Sequence, residues 1–169
     1  MAKATFWNKK QFIFAIAILA CAILLFTAGL FFLRHVESNA TNYTPEQICH
    51  NIIGKVKYGS LAKVDDSQVP KHYDIPDGVI SSCSVYISKS SESAEELCCF
   101  LLKDTSKYSA LQDAVSKHIS MKAKSFQDLS PGQYNLLKNY HLTRSGRYVL
   151  VAVGDNAKAA EKIFLSMLS

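Results

Sequence analysis

Glycine is scarce in this chain, seven residues in 169, and no glycine-rich turn joins a strand pattern to a helix pattern. A nucleotide cradle of backbone N–H groups needs such glycines, so the phosphate-loop and dinucleotide fingerprints are absent. There is no C-x-x-C pair and no G-x-S-x-G elbow. Zinc-ribbon, thioredoxin-type and hydrolase-elbow chemistry therefore lose their usual carriers. The five histidines, His35, His50, His72, His118 and His141, stand far apart. Metal sites that are legible in sequence announce themselves as closely spaced ligand pairs, and no such pair occurs here. Cys49-His50 is no dyad, because successive helical residues point in different directions. From the residues alone, no catalytic, cofactor-binding or metal-binding residue is assigned.

Charge of one sign is also lacking where it would matter. The net charge is +5, but Lys3, Lys9 and Lys10 precede everything else; removing them from 19 Lys and Arg leaves 16 against 14 Asp and Glu. A nucleic-acid binder concentrates a basic face. Lys117, Lys122 and Lys124 do cluster, but near the end of a predicted helix, where cations suit the macrodipole and a solvated face is expected.

What the chain does have is one unbroken apolar run, residues 12–33, FIFAIAILACAILLFTAGLFFL. As a helix it would reach roughly 33 Å, enough for the roughly 30 Å hydrocarbon core of a bilayer. Three readings compete for it. A secretory signal has a shorter apolar core and a nearby cleavage site, whereas Ser38-Asn39-Ala40 lies well past the end of this run. A lipoprotein box should close the apolar segment, but after Ile18-Leu19-Ala20-Cys21 the run continues to residue 33. The length favours an uncleaved single-pass transmembrane helix. The lysine excess ahead of it puts the tail in the cytoplasm and the remainder outside, with Trp7 at headgroup level. The chain then divides into a tail (1–11), a transmembrane helix (12–33), a linker (34–43) and an extracytoplasmic domain (44–169). Asn39-Ala40-Thr41 and Asn42-Tyr43-Thr44 match the N-glycosylation triplet, which matters only in a eukaryotic secretory pathway.

About 136 residues follow the run, enough for one domain with its own core. Thr44-Pro45-Glu46-Gln47 is a capping box with proline at the first helical position, and Ile48, Cys49, Ile52, Ile53 and Val56 follow at helical spacing. Residues 59–78 are rich in Asp, Pro and Gly and read as turns, with Val64, Val69, Tyr73 and Ile75 pinned to the core. Asp65, Asp66, Asp74 and Asp77 do not follow the calcium-loop spacing, so turn and cap roles are expected.

Residues 79–88 alternate as a strand, and 97–103, LCCFLL at its heart, is apolar on both faces as in a covered strand. The polar stretch 89–96 connects them. Asp104-Thr105-Ser106 caps a long helix carrying Tyr108, Leu111, Val115 and Ile119 inward, and Ser130-Pro131-Gly132-Gln133 opens a shorter one with a second capping box. Ser145-Gly146 between β-rich arms is a hairpin signal, and residues 157–168 form a closing helix. The fold class expected is α+β: a two-layer domain with a largely antiparallel sheet of at least four strands and helices packed on one face.

Four cysteines, Cys49, Cys83, Cys98 and Cys99, lie in the domain on apolar faces. Buried thiols are the expected state, with a disulfide framework as the alternative. A turn centred near Ser91 places Cys83 opposite Cys99; a centre half a residue earlier places it opposite Cys98.

An ordered series of short motifs carries a resemblance: Ser93-Ala94-Glu95-Glu96-Leu97, Ser125-Phe126, Ser130-Pro131-Gly132-Gln133-Tyr134 and Gly146-Arg147-Tyr148-Val149. It resembles a bacterial domain-of-unknown-function family, number 4358, found mainly in Gram-positive anaerobes, over about 120 residues of this chain. The resemblance implies a lipoprotein or membrane-anchored protein of the cell envelope, and transfers no active site. The expected function is a non-catalytic binding module outside the cell membrane. Its partner would be an envelope protein, peptide or glycan, and no nucleic acid or cofactor is implied. An accessory or sensory subunit of another membrane protein is one alternative, and an enzyme with an unrecognised site is the other.

Overall fold

The computed structural model describes residues 18–20, 22–27 and 43–169. Most of the expected span therefore lies outside the described residues, as do the tail, the glycosylation asparagines Asn39 and Asn42, and all of the linker but Tyr43. Residues 18–20 and 22–27 are helical, and Ile18, Leu19, Ile23, Leu24, Leu25 and Phe26 are exposed. Among the described residues no helix is long and apolar enough to cross a membrane.

From residue 43 the chain folds as an α+β unit around a five-stranded, wholly antiparallel sheet of order β1-β2-β3-β5-β4. Helix α1 (Pro45–Lys55) starts as its sequence dictates: Thr44 Oγ1 accepts from Gln47 N, and Gln47 Oε1 accepts from Thr44 N. Two elements then emerge from the turn-rich stretch 59–78: a short edge strand β1 (Leu61–Lys63) and a single-turn helix α2 (Val69–Tyr73). Three and five residues give too few periods for a sequence signal. Here pairing with β2 and burial of Val69 and Tyr73 decide the conformation.

Strands β2 (Ile80–Ser88) and β3 (Glu96–Leu102) form the central pair. A 3₁₀ turn (Thr105–Lys107), capped by Asp104, leads into α3 (Tyr108–Phe126). Helix α4 (Pro131–Lys138) follows, but its capping box is not made: Ser130 gives no side-chain cap, and Gln133 Oε1 accepts instead from Ala94 N at 2.7 Å. A tertiary acceptor role has displaced the local one. Strands β4 (His141–Ser145) and β5 (Tyr148–Val153) form the expected hairpin, with Gly146 at φ +56° in its turn, and α5 (Ala157–Met167) closes the chain.

The expected two-layer packing is corrected to three layers. One core lies between the sheet and α2, α3 and α4, and takes Val85, Cys98, Phe100, Leu102, Val149, Val151 and Val153. The other lies between the sheet and α1 and α5, and takes Tyr86, Leu97, Cys99, Tyr148, Leu150 and Ala152. Helices thus cover both faces, which is why β3 and β5 are apolar at successive positions rather than alternating.

The register of β2 against β3 is also corrected. Cys83 lies opposite Phe100, Ser84 opposite Cys99 and Val85 opposite Cys98. The turn centre falls half a residue later than the reading that paired Cys83 with Cys99. A one-residue slip exchanges faces in a strand, so Cys83 joins the core of Cys98 and Phe100, while Cys99 joins that of Cys49. Cys49, Cys83, Cys98 and Cys99 are free and buried.

Candidate functional site

Strand β3 begins with a carboxylate pointing into a core. The polar stretch 89–96 reads as a connection, but Glu96 is already paired, opposite Ile87 on one side and Val153 on the other. It shares the parity of Cys98, Phe100 and Leu102, so it faces α2 and α3 and has no exposed surface. A charge removed from water must be matched by hydrogen bonds and a counter-charge, or it costs several kcal/mol.

Each partner comes from a different turn of the chain. Tyr73, the last residue of α2, donates its hydroxyl to Glu96 Oε1 and lies 2.9 Å from Cys98 Sγ. His118, midway along α3, places Nε2 3.3 Å from both carboxylate oxygens. Lys122, one turn further on, donates to Glu96 Oε2 at 2.6 Å and to the Ala94 carbonyl at 3.1 Å. The spacing of four puts His118 and Lys122 on one stripe of α3. The outer wall is His72, exposed, with its ring centroid 4.9 Å from that of His118. The His118 ring also lies against Tyr73, with centroids 4.1 Å apart.

Electrostatics follow from this geometry. Burial pushes the Glu96 carboxyl upward, but the His118 hydrogen bond and the Lys122 charge outweigh it, so its pKa falls below the ordinary value. Burial, then the adjacent His118, hold His72 below the usual imidazole value. Burial and the Glu96 charge drive the Cys98 thiol far above its normal range, and burial lifts Cys49 to about 12 and Cys83 to about 11. Such thiols stay protonated and are poor nucleophiles.

Ligand atoms of His72, Glu96 and His118 all lie within 4.8 Å of one another. No local pattern announces this group, because the three residues sit on α2, β3 and α3 with no shared spacing. The expected solvated lysine face is corrected for Lys122 alone, while Lys117 stays exposed in a surface ion pair. Lys122 neutralises Glu96, and Lys117 binds Asp74 Oδ2 at 2.6 Å. Among the described residues, the two other histidines do not join the cluster. His50 is an exposed neighbour of Glu46, and His141 Nδ1 lies 2.7 Å from Glu161 Oε2, tying β4 to α5. The aspartates behave as turn residues: Asp65 Oδ1 accepts from Ser67 N and Oγ, and Asp74 is left-handed at φ 54°. A cleft of about 280 Å³ beside α3 and α4 is lined by Ile119, Ala123, Leu137, Tyr134 and two lysines, with no carboxylate, histidine or cysteine.

No curated protein and no solved structure matches the chain. Residues 55–154 match a family described as a domain of unknown function, a segment that runs from the end of α1 through β5 and takes in every residue of the Glu96 cluster. With more than half of its length covered, the chain belongs to the DUF4358 family.

Proposed function

We propose that this protein is a membrane-tethered extracytoplasmic binding module without catalytic activity. The observation that carries the reading is the helical stretch at residues 18–20 and 22–27. There Ile18, Leu19, Ile23, Leu24, Leu25 and Phe26 are 56–76% exposed. Six large apolar side chains on one short segment are costly in water and at home in hydrocarbon. They lie within the uncharged run 12–33, behind Lys3, Lys9 and Lys10, the arrangement that keeps a tail inside and sends a domain out.

Binding rather than catalysis is favoured by the state of the reactive groups. A general acid or base must reach a substrate proton within about 3 Å. Glu96 is enclosed, and Tyr73, His118 and Lys122 occupy its oxygens. The buried thiols are held protonated.

Protease added to intact protoplasts tests the reading. The domain is expected to be digested from outside, and mature protein recovered from the membrane should still contain Trp7. Full protection of the domain would overturn the topology, and an N-terminus at Cys21 or Thr41 would replace the tether with a processed signal.

A further inference from the structure

The Glu96 cluster contains more ligating chemistry than a buried ion pair requires. Lys122 alone neutralises the carboxylate, and Tyr73 alone satisfies a second oxygen. His118 adds an imidazole nitrogen equidistant from both oxygens, and His72 brings a second imidazole to the solvent side. We propose that His72, Glu96 and His118 form a binding site for a divalent transition-metal ion of the zinc type. This names the ligand of the binding role proposed above. The tether does not enter the argument, so a failed protease assay leaves the metal site standing and a failed metal titration leaves the tether standing.

The distances fit. Zinc holds nitrogen and oxygen ligands at about 2.0–2.2 Å, which in a tetrahedron separates neighbouring ligand atoms by roughly 3.4 Å. His118 Nε2 and the Glu96 oxygens are already 3.3 Å apart. The widest separation in the triad is within 4.8 Å, so closure needs a movement of at most about 1.4 Å. His72 can supply it, because it is exposed and the helix that carries it has only five residues. Two imidazoles and one carboxylate select zinc and its neighbours over calcium or magnesium, which prefer all-oxygen shells. Three protein ligands leave a fourth position for water on the open side of His72.

The site also has a competitor built into it. Lys122 Nζ holds Glu96 Oε2 at 2.6 Å, and its side chain is 21% exposed. Two cations cannot share one carboxylate cheaply in a buried setting. Metal entry is therefore an exchange: the ammonium swings outward as the ion takes the carboxylate, and His118 binds the ion through its unprotonated Nε2. Tyr73 remains as the outer hydrogen-bond partner that orients Glu96, the usual support for a ligating carboxylate.

The test is a titration of the full-length chain in detergent micelles with Zn²⁺ alone, and with Co²⁺ as a spectroscopic probe. One equivalent should bind, and cobalt should show the intense visible absorption of a four-coordinate site. His72→Ala lies at the surface, should keep the wild-type circular dichroism, and should weaken binding by more than about tenfold. Lys122→Met removes the competing cation and should bind the ion more tightly than wild type. If that variant folds poorly, added Zn²⁺ should restore its cooperative unfolding. No saturable binding by the wild type would overturn the proposal, and so would equal affinity in wild type and His72→Ala. Weaker binding by a folded Lys122→Met would overturn the exchange.

Discussion

Lys122 Nζ lies 2.6 Å from Glu96 Oε2 and joins the second half of α3 to the first residue of β3 across 26 positions of sequence. The carboxylate has no exposed surface, so the ammonium is the counter-charge that makes its burial tolerable. Truncating Lys122 to Ala leaves Glu96 with hydrogen bonds and no fixed positive neighbour. Stability should fall by about 3 kcal/mol, read from denaturant midpoints at neutral pH without added metal. Replacing both partners, Glu96→Leu with Lys122→Met, should recover most of that loss, since a well-packed apolar pair often matches a buried ion pair. A double variant as unstable as Lys122→Ala would show that the pair is not the source of the cost.

Acid should expose the same pair. The folded protein holds the Glu96 carboxyl below its unfolded value, so folding favours the ionised form. That contribution is fully present above the unfolded pKa, near about 4.3, and is lost as pH falls through the lower folded value. Unfolding free energy should decline on acidification in that window, and Glu96→Gln should flatten the decline. An unchanged slope in the variant would assign the acid sensitivity to other carboxylates.

Cys83 faces Phe100 across the central ladder, and its thiol is free. Its contribution is that of a small core side chain, so Cys83→Ala should cost about 1–2 kcal/mol. The cost should be the same with and without reductant. A larger loss, confined to oxidising conditions, would mean that a disulfide supports the wild-type domain.

Gly154 has φ +146°, and a Cβ there would meet Tyr58 Cε1 at 3.3 Å. It stands between β5 and α5, beside the Glu95 side chain whose Oε2 accepts from Gly59 N at 2.9 Å. Gly154→Ala combines an unfavourable backbone region with a tight contact and should lose about 1–3 kcal/mol in thermal or denaturant unfolding. Full retention of stability would show that the turn relaxes without help from glycine.

Local chemistry was written plainly in this sequence. Thr44 and Gln47 cap α1 because both halves of the box lie within one turn, and Ser145-Gly146 turns a hairpin because glycine accepts the φ required there. The uncharged run 12–33 and the lysines before it are likewise properties of the sequence alone, since run length and flanking charge are one-dimensional. Tertiary structure decided what depends on distant partners. The unbroken apolar runs of β3 and β5 signal cover on both faces, but which helices supply it follows from where α1 and α5 dock, and a strand's own pattern does not report that. The register that set Cys83 against Phe100 turned on half a residue in a polar connection. Glu96 looked like part of that connection because a carboxylate at a strand end is normally solvated. It became the centre of the domain's buried polar cluster only when α2 and α3 brought Tyr73, His118 and Lys122 around it, and no local pattern encodes a meeting of residues 22 to 26 positions apart.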